Sequence, residues 1–417
     1  MSDESPDRKR SGFKDRTRLD DARRRLLDAV DPHERVEERP LEAADGRALA
    51  EPVVAERNVP HYPRAAMDGY AVRAEDTFGA SDRSPAVLRP SGAASERAGA
   101  DAVAPGGAIR VHTGSELPAD ADAVVMIEQT DVFGDEVEVF DAVAPGENVA
   151  PVGEDVESGQ RLYDAGHRLR PSDLGLLRSV GVETVAVRER PTVGVVPTGE
   201  ELVAADPDPG EVVETNGLTV ARFAQRWGGV PTLRDPVTDD PDALRAAVQR
   251  DLTKDVVVTI GGSSVGERDL TPEVVADLGE VLVHGVALKP GHPVAVGAVE
   301  GTPVVMLPGY PVACIVNAVQ FLRPALKAVG GLPCGPLPAT EARLDRKIRS
   351  EPGIRTFARV EVDASAEGET TATPTRASGS GVLSSVALAD GWVVVPEDRE
   401  GIPAGETVEV QDWEALP

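Results

Sequence analysis

Residues 256–269 read VVVTIGGSSVGERD, an apolar run opening onto glycines, hydroxyls and an acid. A tight turn needs one glycine. Gly261 and Gly262 beside Ser263 and Ser264 let successive backbone amides close on an anion, and Asp269 can hold a cation. Two more stretches share this character: Pro197-Thr198-Gly199-Glu200-Glu201 and Pro308-Gly309-Tyr310-Pro311. None is a Walker A sequence or a G-x-G-x-x-G fingerprint, and each alone reads equally well as a strand–helix turn. Three acids stand nearby. Asp239 and Asp269 could serve a metal or a phosphate, or could cap helices; Glu201 could join them or be merely solvated. Lys289-Pro290-Gly291-His292-Pro293 sets a lysine at a glycine turn, a fixed charge for an oxyanion or a plain surface turn. His292 beside it titrates near neutrality. Arg64–Val72, with Asp68, and His112–Pro118, with Thr113, are a hairpin-like turn and a polar loop to which physics alone gives no role.

These residues need elements to hold them. From about residue 188, apolar strands alternate with helices: VGVVP, then TNGLTVARFAQRW capped by Thr215 or Asn216, then a helix opening at Pro241, then DVVVTI, TPEVVADL, TPVVML and PVACIVNAVQFL. That rhythm predicts a parallel, doubly wound α/β sheet, with all three glycine loops on the carboxyl edge where such sheets bind ligands. Upstream, Thr17-Arg18-Leu19-Asp20 predicts a capping-box-like start to an amphipathic helix. Residues 61–147 read as short strands and turns. The string DAVAPG at 101–106 and 141–146 is too short for a repeat. After about 336, RLDRKIRS, TFARVEVDA, WVVVPE and TVEVQDW predict a β-barrel or sandwich.

At 417 residues the chain has room for two to four domains. Its N-terminus is polar, which predicts a frayed tail over 1–14 and no secretory signal. No apolar stretch is read as spanning a bilayer. Two cysteines outside any C-x-x-C pair and six histidines without H-E-x-x-H spacing predict neither disulfide nor zinc, and a reducing cytoplasm. The net charge of −28 argues against nucleic acid and suggests a high-salt, halophilic cytoplasm that screens self-repulsion. Only six lysines occur, which makes Lys289 stand out.

Eight stretches in order resemble the molybdopterin molybdenumtransferases, the MoeA family that includes the C-terminal domain of gephyrin. They are AAMDGYAV (65–72), HTGSELPADADAVVM (112–126), PGENVAPVGEDV (145–156), PTGEEL (197–202), GGSSVGERD (261–269), KPGHP (289–293), LPGYPVA (307–313) and SGSGVLSSVALADGWVVVPE (378–397). The resemblance implies an elongated homodimer of four-domain chains. These are a helical N-terminal domain from 15–60 and 148–187, a β-rich insert at 61–147, a molybdopterin-binding α/β domain at 188–335 and a β-barrel at 336–417. It implies insertion of molybdate into adenylylated molybdopterin with release of AMP, dependent on Mg²⁺. Asp68, Thr113, Glu201, Asp239 and Asp269 match the family's cleft positions, with Asp239 and Asp269 as metal ligands. Gly261, Gly262, Ser263 and Ser264 would cradle phosphate or pterin. Lys289, Arg355 and Ser378 or Ser380 would face the oxyanion, with His292, Pro308 and Pro311 in the substrate-contacting set. Asp68 and Thr113 would reach the cleft of the other subunit. Implied partners are the enzyme that adenylylates molybdopterin and the enzymes that receive the cofactor, with no membrane.

Departures from the pattern are His292 for a lysine, Tyr310 for an asparagine, Ala313 for a serine, and GGSS for GGVS. The changes at His292 and Ala313 remove a fixed charge and a hydroxyl near the expected oxyanion, and predict weaker or pH-sensitive molybdate binding, or a preference for tungstate. Molybdopterin adenylylation and a non-catalytic scaffold remain as rival readings.

Overall fold

The computed structural model describes residues 16–93, 102–262, 270–364, 370–375 and 379–415. The expected tail at 1–14, Ser263, Ser264, Asp269 and Ser378 lie outside these residues.

Helix α1 (Leu19–Asp28) buries Leu19, Ala22 and Leu26 completely, at the three- and four-residue spacing of one helix face. Its start differs from expectation. Arg18 occupies the N-cap position without a side-chain cap, and Thr17 is drawn into backbone hydrogen bonds with Gly285 and Ala287 instead. The apolar face of α1 packs into the same core as the α/β sheet, not into the unit that follows it in sequence.

That following unit is not a helical domain. Within 36–60 and 148–188 the one α-helix described is α2 (Pro171–Ser179); the rest is short antiparallel pairs, the longest joining Val36–Pro40 to Thr184–Arg188. Leu41, Leu49, Val156, Leu177 and Val187 share one core, so the two sequence segments fold together. The chain between them forms a six-stranded sheet in the order 123–126, 69–72, 107–111, 86–93, 136–139, 130–133.

The α/β domain has strands β1 (Thr192–Pro197), β2 (Val230–Leu233), β3 (Val256–Ile260), β4 (Glu280–His284), β5 (Ala295–Val299) and β6 (Thr302–Leu307), ordered β2-β1-β3-β6-β5-β4. The first four in that order run parallel, and β3 is buried along its whole length. The sheet is therefore mixed rather than wholly parallel: β5 runs against the other strands, and β4, antiparallel to β5, runs with them. The cause is local. Glu300 and Gly301 both have positive φ, +50° and +82°, the signature of a two-residue hairpin turn that returns the chain antiparallel.

Helices α3 (Asn216–Arg226), α4 (Pro241–Asp251), α5 (Leu270–Leu278), α6 (Pro311–Asn317) and α7 (Arg323–Val329) follow the strands, and a π-turn joins α6 to α7. The continuous helical run Pro311–Val329 is, by length and composition, long and apolar enough to cross a membrane, against the sequence reading. It is instead the buried centre of the α/β core, with Val316, Phe321 and Leu322 fully enclosed.

The C-terminal strands close on themselves. The order 355–364, 370–374, 339–344, 407–411, 391–395 returns to 355–364 through a second pairing, a barrel rather than a sandwich. Leu288–Lys289 adds to its edge, and Phe357, Trp392 and Trp413 join the α/β core.

Candidate active-site cleft

β1, β3 and β6 are parallel neighbours, so their loops leave one edge of the sheet. Backbone bonds from Thr198 to Ile260, 2.8 Å, and from Gly261 to Leu307, 3.0 Å, draw the three loops together. Glycine is required where they meet. Gly261 has φ +106°, and a Cβ there would lie 2.4 Å from the Thr198 carbonyl oxygen. At Gly262, φ +66°, it would lie 2.5 Å from the Thr271 hydroxyl. The Asn216 amide donates to the Gly309 carbonyl at 2.7 Å, tying the start of α3 to the third loop. Glu214, not Thr215 or Asn216, provides the side-chain cap of α3, by accepting from the Gly217 N–H at 2.6 Å.

Between these loops lies a cleft of about 930 Å³. Of the residues expected to act on substrate, Glu201, Asp239, Gly261, Gly262, His292, Pro308, Pro311 and Ser380 line it. Such a volume accommodates a nucleotide-sized ligand. The barrel contributes through Ser380, whose carbonyl accepts from the Val312 N–H at 3.0 Å.

The capping alternative for Asp239 falls away. Asp240 caps α4, accepting from the N–H groups of Asp242 and Ala243. Asp239 is left facing the cleft beside Glu201 and Glu200, and burial together with those two like charges raises its carboxyl above the ordinary range. Crowded carboxylate oxygens are a hard donor set, and Mg²⁺ is commonly held by one or two carboxylates plus substrate phosphates. The residues fit that ion, although among the described residues no group of three candidate metal ligands occurs.

A second cavity of about 620 Å³ adjoins the cleft, sharing Gly291, His292 and Ser380 with it. Lys289 lines it, as do Arg16, Lys347, Arg349 and Arg359. Arg359 was not anticipated; it occupies the place expected for Arg355. Arg355 turns away, paired through both guanidinium nitrogens with Asp20 of α1 at 2.8 Å and with Glu397 at 3.0 Å. The turn after Lys289 is held by Asn317, also not anticipated. Fully buried, it donates to the carbonyls of Gly291 and Ala313 at 3.0 and 2.8 Å. His292 is pushed toward its neutral form by burial and by the charges of Arg16 and Lys289.

Asp68 and Thr113 come together, but elsewhere. The Thr113 N–H and hydroxyl donate to Asp68 Oδ1 at 2.7 and 2.8 Å, and His112 Nδ1 stands 3.8 Å from Oδ2. The two donors from Thr113 hold the carboxyl below its ordinary range. The described lining of the cleft runs from 198 to 313 and over 380–381, so this pair is not part of it within one chain.

Residues 17–181 match the MoeA N-terminal region (domains I and II), 194–328 the probable molybdopterin binding domain and 341–413 the MoeA C-terminal region (domain IV). The chain belongs to the MoeA family. A putative molybdopterin biosynthesis protein of Methanocaldococcus jannaschii is 36% identical over 93% of this chain and 94% of its own. The molybdopterin molybdenumtransferase of Bacillus subtilis is 33% identical over 89% of this chain and 88% of its own. A crystal structure of the molybdopterin biosynthesis MoeA protein from Pyrococcus horikoshii OT3 superposes with a TM-score of 0.82 at 32% identity, covering 95% of this chain and 100% of that one. In this MoeA chain the three departures His292, Tyr310 and Ala313 all line the cleft, and Tyr310 is exposed there.

Proposed function

We propose that this chain inserts molybdate into adenylylated molybdopterin, releasing AMP, as a Mg²⁺-dependent homodimer in a high-salt cytoplasm. The observation that carries this reading is the meeting of Glu201, Asp239, Gly261 and Gly262 in one nucleotide-sized cleft of a MoeA-family chain. Glycine-lined strand ends bring amides to the substrate's phosphates. Asp239 and Glu201, with Asp269 from the adjoining segment, would hold Mg²⁺, which shields the charge of the phosphoanhydride as it breaks. The basic cavity of Lys289, Lys347, Arg349 and Arg359 collects the incoming oxyanion, and His292 and Ser380 stand where the two spaces join. Asp68, held ionised by Thr113, acts on the cleft of the partner subunit. The dithiolene of the pterin binds the metal, so the protein needs no cysteine ligand; Cys314 is buried and its thiol is pushed far toward the protonated form. The product passes to the enzymes that receive the cofactor.

The test is AMP release from adenylylated molybdopterin in concentrated salt, with molybdate, tungstate or neither. Release driven by molybdate supports the reading. Formation of adenylylated pterin from ATP without molybdate points to the adenylylating step. No turnover with either oxyanion leaves a scaffold.

A further inference from the structure

A separate cavity lies far from the glycine loops in the fold, where the N-terminal unit meets the ends of α3 and α7. It encloses about 180 Å³. Its walls carry six cations, Arg47, Arg168, Arg188, Arg190, Arg226 and Lys327, against two acids, Asp45 and Glu189. In a chain of net charge −28 that local excess is unexpected. The acids do little to offset it. Glu189 is paired with Arg35, outside the walls. Arg47 and Arg226 are paired with Glu37 and Glu414, and Arg188 donates through one Nη to the His33 carbonyl at 2.8 Å.

Lys327 is the decisive residue. It is 1% exposed, and no hydrogen bond or ion pair reaches its ammonium among the described residues. The charges nearest it are cations: Arg168 from the N-terminal unit and Arg323 one helical turn earlier. Burial and those two charges push the ammonium down to about 8. The Nε of Arg188 is likewise buried with no acceptor. Arg188 lies across Gly331, where a Cβ would come within 2.7 Å of Nε. Buried donors without acceptors cost free energy unless a ligand supplies the acceptors. The cavity holds a small tetrahedral oxyanion and is too small for a nucleotide.

We propose that this cavity binds a free phosphate-class oxyanion between Lys327 of the α/β domain and Arg188 of the N-terminal unit, and that the anion clamps the two units together. A tetrahedral dianion offers acceptors on all sides, which suits donors converging from two units. An enclosed pair of this kind is screened little by bulk salt, so the site remains effective in concentrated chloride.

Titration calorimetry and thermal unfolding of the full chain test this, with inorganic phosphate, sulfate or AMP added at constant ionic strength against chloride. Phosphate and sulfate are expected to raise the unfolding midpoint where AMP and chloride do not. Lys327→Met should weaken phosphate binding by about tenfold or more, and Arg188→Gln should weaken it as well. Without phosphate, Lys327→Met should unfold no earlier than the parent chain, because an apolar side chain replaces an unpaired buried charge. A phosphate effect equal in both variants belongs to another site and overturns the proposal. So does an effect of AMP without one of phosphate, or no anion preference over chloride.

Discussion

One oxygen of Asp68 takes two hydrogen bonds from the same residue, Thr113, leaving its other oxygen open beside His112. An exposed carboxylate fixed in this way keeps one acceptor oriented for a ligand. Asp68→Asn should cut AMP release by about 100-fold or more while leaving the unfolding midpoint nearly unchanged. Because the folded carboxyl lies below its usual range, loss of activity above pH about 4 should not arise from Asp68. The cross-subunit role has a sharper test. An equal mixture of Asp68→Asn and Asp239→Asn subunits should recover roughly a quarter of wild-type activity, since half the dimers are mixed and each has one intact cleft of two. No recovery after subunit exchange is shown would mean that both acids of a cleft come from the same subunit.

Asp239 carries the opposite shift. Burial, Glu201 and Glu200 raise its carboxyl, so its ionised form opposes folding above the ordinary aspartate range. Asp239→Asn should therefore stabilise the chain at neutral pH, by about 0.5 kcal/mol or less given its exposure. The same change should raise the Mg²⁺ needed for AMP release by roughly 10- to 100-fold. In the parent enzyme, protons compete with Mg²⁺, so apparent Mg²⁺ affinity should weaken as pH falls toward the raised value. Activity titrations against Mg²⁺ at several pH values measure this.

Much of this site was legible because its signals are local. Apolar strands ending in glycine pairs mark loops at a sheet edge, and three of them on parallel neighbours must converge. The sequence reading offers Asp239 as a cap, whereas Asp240 caps; the signal is Pro241, which takes the first helical position and leaves the residue before it as the cap. What failed depended on distant partners. Arg355 finds Asp20, 335 residues away, and nothing in either neighbourhood announces it. Helix α1 reads as part of the N-terminal unit by adjacency, yet its apolar face is completed by the α/β core. Lys327 sits in an apolar helical stretch and reads as a tolerated charge; its burial follows only from the docking of two units.

His292 replaces a fixed charge with one that is absent at neutral pH. Burial, Arg16 and Lys289 all favour its neutral form, so protonation begins only below the ordinary histidine range. Molybdate affinity should rise only as pH falls below the ordinary histidine range and stay flat above it. His292→Lys should remove that dependence and tighten binding at pH 7 to 8, and Ala313→Ser should add a hydroxyl donor to the cleft. Calorimetric titration with molybdate and tungstate distinguishes these. Affinity untouched by pH and by both changes would mean that the oxyanion is held by Lys289 and the barrel cations alone.

The net charge of −28 predicts that folding depends on screening. The unfolding midpoint should climb with potassium chloride up to molar concentrations and fall on dilution into low salt. Phosphate-class anions should add to this through the Lys327 cavity, and neutral osmolytes at matched osmolality should not reproduce the chloride response. A midpoint flat with salt would leave the acidic surface without this role.

Asp173 anchors the N-terminal unit. It is 2% exposed and accepts from the Arg170 N–H, Nε and Nη2, from the Tyr163 hydroxyl and from His167 Nε2 at 2.8–3.1 Å. Burial pushes its carboxyl up, but bonds from Arg170, His167 and Tyr163 outweigh that and hold it well below the ordinary range. A depressed folded value means the stabilisation is present above the unfolded value, near pH 4, and is lost as pH falls below it. Asp173→Asn should cost about 2–4 kcal/mol at pH 7, because Arg170 loses its counter-charge and the buried network loses a carboxylate acceptor. It should also flatten the acid limb of the stability profile. Denaturant unfolding from pH 7 to pH 3 measures both, and since Asp173 lies outside the cleft, the folded fraction should keep its molybdate affinity.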